Sequence, residues 1–463
     1  MFTFRTRRRV VILSIWVLVL PASLFSQRPF FTLAALTDSA DHYLPRLQEK
    51  RALLNSASAN VTDVKHQFLP FFRFNDQVNI STDNSLPGSY YSYGIIPSAS
   101  SGIRSGNDFQ AASGNIAVLF GEYDLMDFGF KNAKINNAKS AEAFQVADLQ
   151  REIYILNSQV SRTYFNLLMS QAKLDVVAQT VQRYDTIFMT IRALTLSGIK
   201  PGSDSSLAKA ELSRNRIVYN QVNEQLKNYR EELSYLTGIA APSINTDTSL
   251  LSETNRERIN IGQVAPTPNP LIYYYENLKN TYVANERLIS KSYLPRVLLT
   301  AASWARGSGI SYDDKYKSIP DGLGYQRFNY LAGISFQYDL FSAIHKRDRL
   351  KSFGFERQAS ELELQQEMVS LASASRRAQN SIDITEKNLL ELPIQFQAAV
   401  DTYNQKMAQY RAGIISLIDL TNAAFVLDRS MNDYVETIGN WYLAQLEKAI
   451  AAGSLSAFIQ SIR

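Results

Sequence analysis

The 463-residue chain contains no cysteine, which excludes disulfides, thiolate metal sites, a cysteine nucleophile and an N-terminal lipid carried on cysteine. Its formal charge of +5 falls to +1 once the four N-terminal arginines are set aside, so charge argues for no nucleic-acid partner. The length allows a large core or several domains.

Arg5, Arg7, Arg8 and Arg9 precede the apolar run Val10 to Leu20, followed by Pro21, Ala22 and Ser23. The pattern predicts a secretory signal peptide over residues 1–26, cleaved before Gln27. This eleven-residue run falls short of the ~20 that a spanning helix needs, and no later stretch is long and apolar enough.

Residues Leu33 to His66 read as helical, with Pro45 near the start of the pattern. After Phe68-Leu69-Pro70, Phe72, Phe74, Val78 and Ile80 alternate with Arg73, Asn75, Gln77 and Asn79, which predicts a half-buried strand. Asp83 to Asn107 is rich in Ser, Gly, Tyr and Pro and reads as a long loop. A return strand covers about Ala111 to Leu125, with Ile116, Val118 and Phe120 on one face, closing a hairpin over 70–125. Tyr90, Tyr91 and Tyr93 fit either an interfacial aromatic girdle or, as the preferred reading, an outer loop.

Lys131 to Leu194 has no Gly or Pro. Its apolar positions Leu149, Ile153, Leu156, Val160, Leu167, Leu174, Val177, Val181, Tyr184, Phe188 and Ile191 alternate by four and three, with Thr163 and Ser170 as polar steps. That heptad seam predicts a helix packed along its whole length, ~95 Å at 1.5 Å per residue. Ser197-Gly198-Ile199 and Pro201-Gly202 close a turn, and a second helix returns, giving a pair over 131–237. Ala240 to Asn269, with Pro242, Pro266 and Pro268, reads as a linker.

The plan then repeats. Leu364, Met368, Leu371, Ile382, Leu389, Leu392, Phe396 and Tyr403 match the first seam at a constant offset of 215, as do Gly413, Asp419 and Gly453 for Gly198, Asp204 and Gly238. Tyr293-Leu294-Pro295 repeats Phe68-Leu69-Pro70, and Tyr338-Asp339-Leu340 repeats Tyr123-Asp124-Leu125. The predicted organisation is a first repeat at 27–239, a linker at 240–269, a second repeat at 270–453 with a hairpin at 296–341 and a helix pair at 343–452, and a short tail at 454–463. Pro393 lies inside the second long helix, as a gate hinge or, by preference, a static bend.

Strands of this length cross a bilayer in a tilted barrel, but four cannot close one and lipid tolerates no open edge. If the strands lie in a membrane, several chains must share one barrel.

Catalysis finds no converging groups. His42, His66 and His345 form no HExxH spacing, Ser101 to Gly106 is no phosphate loop, and Asp313-Asp314 lacks the EF-hand ligand pattern. No enzyme activity, cofactor or metal is expected.

In the order and duplication of these motifs, from about Leu33 to Gly453, the chain resembles the TolC-like outer-membrane efflux proteins. The resemblance implies an α+β membrane protein: a homotrimer whose four strands per chain complete a 12-stranded outer-membrane β-barrel, continued by a periplasmic α-helical barrel. It implies a passive exit duct in outer-membrane lipid, joined through a periplasmic membrane-fusion adaptor to an inner-membrane efflux transporter. Two alternatives are the same channel serving type I protein secretion and a periplasmic coiled-coil scaffold without a pore.

The resemblance also implies a periplasmic gate or constriction at Asp204, Asp419, Tyr410 and Asn422, with adaptor contacts at Ser197, Gly198, Ile199, Ala412, Gly413 and Ile414. Two positions depart from the family: Asn422 stands where it has a second aspartate, and Ile415 where it has an arginine, with Arg411 nearby. Gate bonding must therefore differ. From the residues alone, Asp204 and Asp419 serve equally as first-turn helix caps or as pore-facing charges.

Overall fold

The computed structural model describes residues 30–85, 103–251 and 268–462. The expected signal peptide, Tyr90, Tyr91, Tyr93 and part of the expected linker lie outside the described residues.

The first helical stretch is two helices, α1 (Leu33–Tyr43) and α2 (Pro45–His66), a correction to the single helix expected. Leu44 between them is extended, at φ −68° and ψ 122°. The ring of Pro45 disfavours helical geometry in the residue before it, while Pro itself suits a first turn.

Strand β1 (Phe71–Ser81) pairs antiparallel with β2 (Ala112–Met126), and β3 (Arg296–Ser308) with β4 (Arg327–Gln337). Pairing of β2 with β3 joins the repeats into one antiparallel sheet of order β1-β2-β3-β4. Register fixes its faces, because directly paired residues point the same way. Phe74, Leu119, Ser303 and Tyr330 form one such row. Phe72, Ile80, Leu299, Phe328, Ile334 and Phe336 share that face. The other carries Arg73, Asn75, Gln77, Arg306, Asn329 and Arg327, together with Ile116, Val118 and Phe120. The outer edges of β1 and β4 are unpaired among the described residues.

From the sheet run the long helices α3 (Phe130–Leu196) and, after α5 (Pro270–Ser292), α6 (Ser342–Arg411). At 67 and 70 residues each is on the order of 100 Å long. Their returns are α4 (Gly202–Thr237) and α7 (Leu417–Ala452). α6 continues through Pro393, which lies inside it. No described helix is long and apolar enough to cross a membrane.

The main core lies where α1, α3, α4 and α7 converge. Tyr164, Phe165, Leu167, Leu168, Leu233, Ile438, Tyr442 and Leu446 are buried there, and the Phe165 and Tyr442 rings stack with centroids 5.4 Å apart. The expected tail is instead helix α8 (Leu455–Ser461), with Phe458 fully buried in this core. Leu455, Phe458, Ile459 and Ile462 recur at helical spacing, so the segment has an apolar face to bury. The linker is likewise partly core: Ile244, Leu250 and Leu251 are buried, and the Tyr442 hydroxyl donates to the Leu250 carbonyl at 2.6 Å. Its Pro and polar residues conceal this in the sequence.

Candidate functional site at the helix turns

Both long helices end the same way. In the first turn, Ile199 N–H donates to the Leu194 carbonyl at 2.9 Å and Gly198 N–H to Thr195 at 3.0 Å. In the second, Ile414 N–H donates to Gln409 at 2.9 Å and Gly413 N–H to Tyr410 at 3.0 Å. This is the Schellman arrangement, which needs a left-handed residue after the cap; Gly198 and Gly413 supply it at φ +74° and +75°. Ser197, Gly198, Ile199, Ala412, Gly413 and Ile414 are all exposed.

The fold brings the two turns together. Ile187 and Ile191 of α3, Ala208 of α4, Tyr410 of α6, and Leu417 and Leu420 of α7 form a separate apolar cluster. Tyr410 is buried in it, at 1 % exposure, with its hydroxyl 3.5 Å from Asp204 Oδ2. Lys200 Nζ stands 4.7 Å from the centre of the Tyr410 ring. Burial first, then the Asp204 charge, pushes the Tyr410 phenol up to about 12.

The two aspartates differ. Asp419 forms a reciprocal capping box on α7: its carboxylate accepts from Ser416 Oγ at 2.6 Å and from Ser416 N–H at 3.1 Å, while Asp419 N–H donates to Ser416 Oγ at 3.3 Å. The Ser416 hydroxyl, then its N–H, holds the Asp419 carboxyl below the usual range. Asp204 has no such role, since α4 starts after Pro201 without a side-chain cap. Asp419 and Asn422, three residues apart on α7, are both exposed.

One network was not anticipated. Arg183 of α3 forms an ion pair with Asp428 of α7, and Thr180 Oγ1 donates to the same carboxylate at 3.0 Å. The guanidinium also lies 5.5 Å from the centre of the Tyr403 ring of α6. Burial pushes the Asp428 carboxyl up, opposed by Arg183 and Thr180. The available signal was a carboxylate directly after Leu427, at the margin of the apolar stripe Leu420, Ala424 and Leu427. Among the described residues no group of three or more His, Cys, Asp or Glu is placed to hold a metal.

Residues 37–239 match the family described as Outer membrane efflux protein. No curated protein matches the sequence. The fold is similar to that of the Vibrio cholerae outer membrane protein VceC, with a TM-score of 0.71 and 14 % identity over 91 % of this chain and 96 % of that one. It is similar to the Campylobacter jejuni outer membrane channel CmeC, with a TM-score of 0.70 and 15 % identity over 93 % and 90 %. It is also similar to the open state of the Neisseria gonorrhoeae MtrE outer membrane channel, with a TM-score of 0.69 and 16 % identity over 91 % and 89 %. Residues 37–239 carry the sequence pattern of the outer membrane efflux proteins, and the described chain has a fold similar to that of TolC-like outer membrane channels.

Proposed function

We propose that the protein is the exit duct of a tripartite efflux system, resident in the outer membrane with its helices in the periplasm. The carrying observation is the open four-stranded sheet, mainly apolar on one face and carrying its arginines and most other polar residues on the other, joined to helices on the order of 100 Å long. An apolar face suits lipid and a charged face suits water, but neither free edge is tolerable in a bilayer. Three copies joined edge to edge satisfy every strand and make a 12-stranded barrel. The helices support the same assembly. α6 leaves Leu362, Ile384, Leu390 and Ile394 exposed, a flank for a neighbouring copy to cover.

Small molecules enter at the helix turns from an inner-membrane transporter, which supplies the energy, and a periplasmic adaptor contacts the exposed turns. Asp204, Asp419, Tyr410 and Asn422 form the constriction. Asp419 and Asn422 present exposed polar groups, whereas buried Tyr410 acts through packing and its contact with Asp204.

Single-channel conductance of the mature protein in a planar bilayer tests this reading, with wild type beside Asp419→Ala. Steady steps, with weaker cation selectivity or larger openings in the variant, are expected. No conductance from folded, inserted protein would overturn the duct.

A further inference from the structure

The segment 309–326 between β3 and β4 does not stand away from the sheet as a free loop. Its Gly309 N–H donates to the Ser113 carbonyl at 2.8 Å, and Ser113 Oγ donates to the Ile319 carbonyl. Asn115 Nδ2 donates to the Leu323 carbonyl at 2.8 Å, and the Tyr325 hydroxyl to Asp76 Oδ2 at 2.9 Å. Register decides which side this is. Ser113 pairs with Ile80, Asn115 with Val78 and Asp76 with Ala117, all on the face of Phe72, Phe74 and Leu119. The segment is therefore a strap folded back over the apolar face.

Its closeness is sterically specified. A Cβ at Gly307, which pairs with Asn115 on this face, would lie 2.0 Å from the Gly324 carbonyl oxygen. Only glycine lets the strap backbone lie directly on the strand. A short 3₁₀ turn, Ile319–Gly322, closed by a Ser318–Asp321 capping box, and an ion pair from Arg104 to Asp314 at 3.0 Å hold it. The strap thus bonds three polar side chains that interrupt the apolar face: it buries Ser113 and Asn115, taking the Asn115 amide N–H, and donates to Asp76, which stays exposed. It exposes Ile319, Leu323 and Tyr325.

We infer that this strap is a membrane-contact element, which seats Ile319, Leu323 and Tyr325 against the outer leaflet at its headgroup boundary. The inference rests on the barrel reading above. Its occupant is lipid because the exposed strap residues lie on the same side as the apolar Phe328, Tyr330 and Ile334, and because the Ser113 and Asn115 side chains that it buries are groups an acyl environment penalises. Tyr at such a boundary keeps its ring in apolar surroundings and its hydroxyl bonded.

The chain has no cysteine, so single labels can be placed cleanly. The mature protein would be made as Ile319→Cys and Leu323→Cys, labelled with bimane and reconstituted in phosphatidylcholine vesicles. Controls are Ile334→Cys on the apolar face, Asn75→Cys on the polar face and Tyr312→Cys on the fully exposed part of the strap. Quenching by nitroxide on lipid acyl chains is compared with quenching by aqueous iodide. Labels at 319 and 323 are expected to be quenched by lipid at least about twofold more than labels at 75 and 312, approaching 334. If 334 is lipid-quenched while 319 and 323 behave like 75, or resist both quenchers, the strap does not meet lipid and the inference is overturned with the barrel intact. If 334 itself is not lipid-quenched, the barrel reading fails and the inference falls with it.

Discussion

Arg183 and Asp428 lie 245 residues apart and form an ion pair between the long helix of the first repeat and the return helix of the second. The pair is mostly buried, with side chains 17 % and 12 % exposed. Removing one partner of such a pair leaves an uncompensated charge, so Arg183→Ala should destabilise the folded chain by about 3–5 kcal/mol. Asp428→Asn, which keeps a group able to accept from Thr180, should cost less. The sign of the pH effect follows from burial. Asp428 titrates above its ordinary 3.8 in the fold, so its favourable contribution is complete below 3.8 and is lost as pH rises through the raised value. Without the arginine the value rises further. The thermal midpoint of Arg183→Ala should therefore fall further below wild type at about pH 7.5 than at about pH 4. An equal deficit at both would place the loss in packing instead of charge.

The heptad positions of α3 were legible because they obey one period, and Leu156, Val160, Leu167, Val177, Tyr184 and Ile191 are all buried. The same seam in α6 was legible as a helix but only in part as a core: Ile382, Leu389 and Leu392 are buried, other positions are not. Met368 is 52 % exposed and Phe396 38 %, since an apolar stripe does not say whether its partner belongs to the same chain. The break before Pro45 was written in the sequence and needed only the pre-proline rule. Arg183 with Asp428 was not readable. Neither has a charged counterpart at the 215-residue offset (Ala398 and Ser213), and pairing across the repeats depends on how the hairpins dock. Tyr410 and Asp204 were named as gate residues by resemblance alone; their contact, and Lys200 beside it, carried no signal in the sequence.

Tyr410 and Asp204 make a testable clasp between the two turns. At 3.5 Å the bond is long, and Asp204 is half-exposed, so Tyr410→Phe should cost only about 0.5–1.5 kcal/mol. Its functional effect should be larger than its cost in stability, seen as a higher open fraction in single-channel records. The phenol's value is raised from 10.0 to about 12, so its contribution is complete below 10.0 and is lost as pH rises towards 12. Wild-type gating should accordingly hold constant from neutral pH to about 9, and loosen only in stronger alkali. Tyr410→Phe should lose that alkaline step. Its persistence in the variant would assign the step to another group.

Asp419 is both a cap and an exposed charge, and two variants separate the roles. Ser416→Ala removes one arm of the capping box and should weaken the start of α7 by about 1 kcal/mol while leaving the charge in place. Asp419→Asn removes the charge but keeps an oxygen able to accept from Ser416. If three Asp419 side chains ring the pore, reversal potentials under a salt gradient should shift towards non-selectivity in Asp419→Asn and stay near wild type in Ser416→Ala. The carboxyl is held below its ordinary 3.8, so its contribution is present above 3.8 and is lost as pH falls through the lowered value. Cation selectivity should therefore persist to mildly acidic pH. Equal selectivity in both variants would leave Asp419 a cap only.

The glycine turns separate shape from surface. A Cβ at Gly198 or Gly413 would meet nothing within 4 Å, so alanine there is opposed only by the left-handed backbone, at roughly 1–2 kcal/mol. Gly198→Ala and Gly413→Ala should fold, lower the thermal midpoint modestly and still conduct. Ile199 and Ile414 follow these glycines and are 65 % and 73 % exposed, a solvation cost the fold gains nothing from unless a partner covers them. Ile199→Asp combined with Ile414→Asp should leave the purified protein's melting point and conductance unchanged. In cells, the same pair should abolish export of a dye that the intact system clears. Normal export would exclude these turns from adaptor contact, and a changed conductance would make them part of the duct itself.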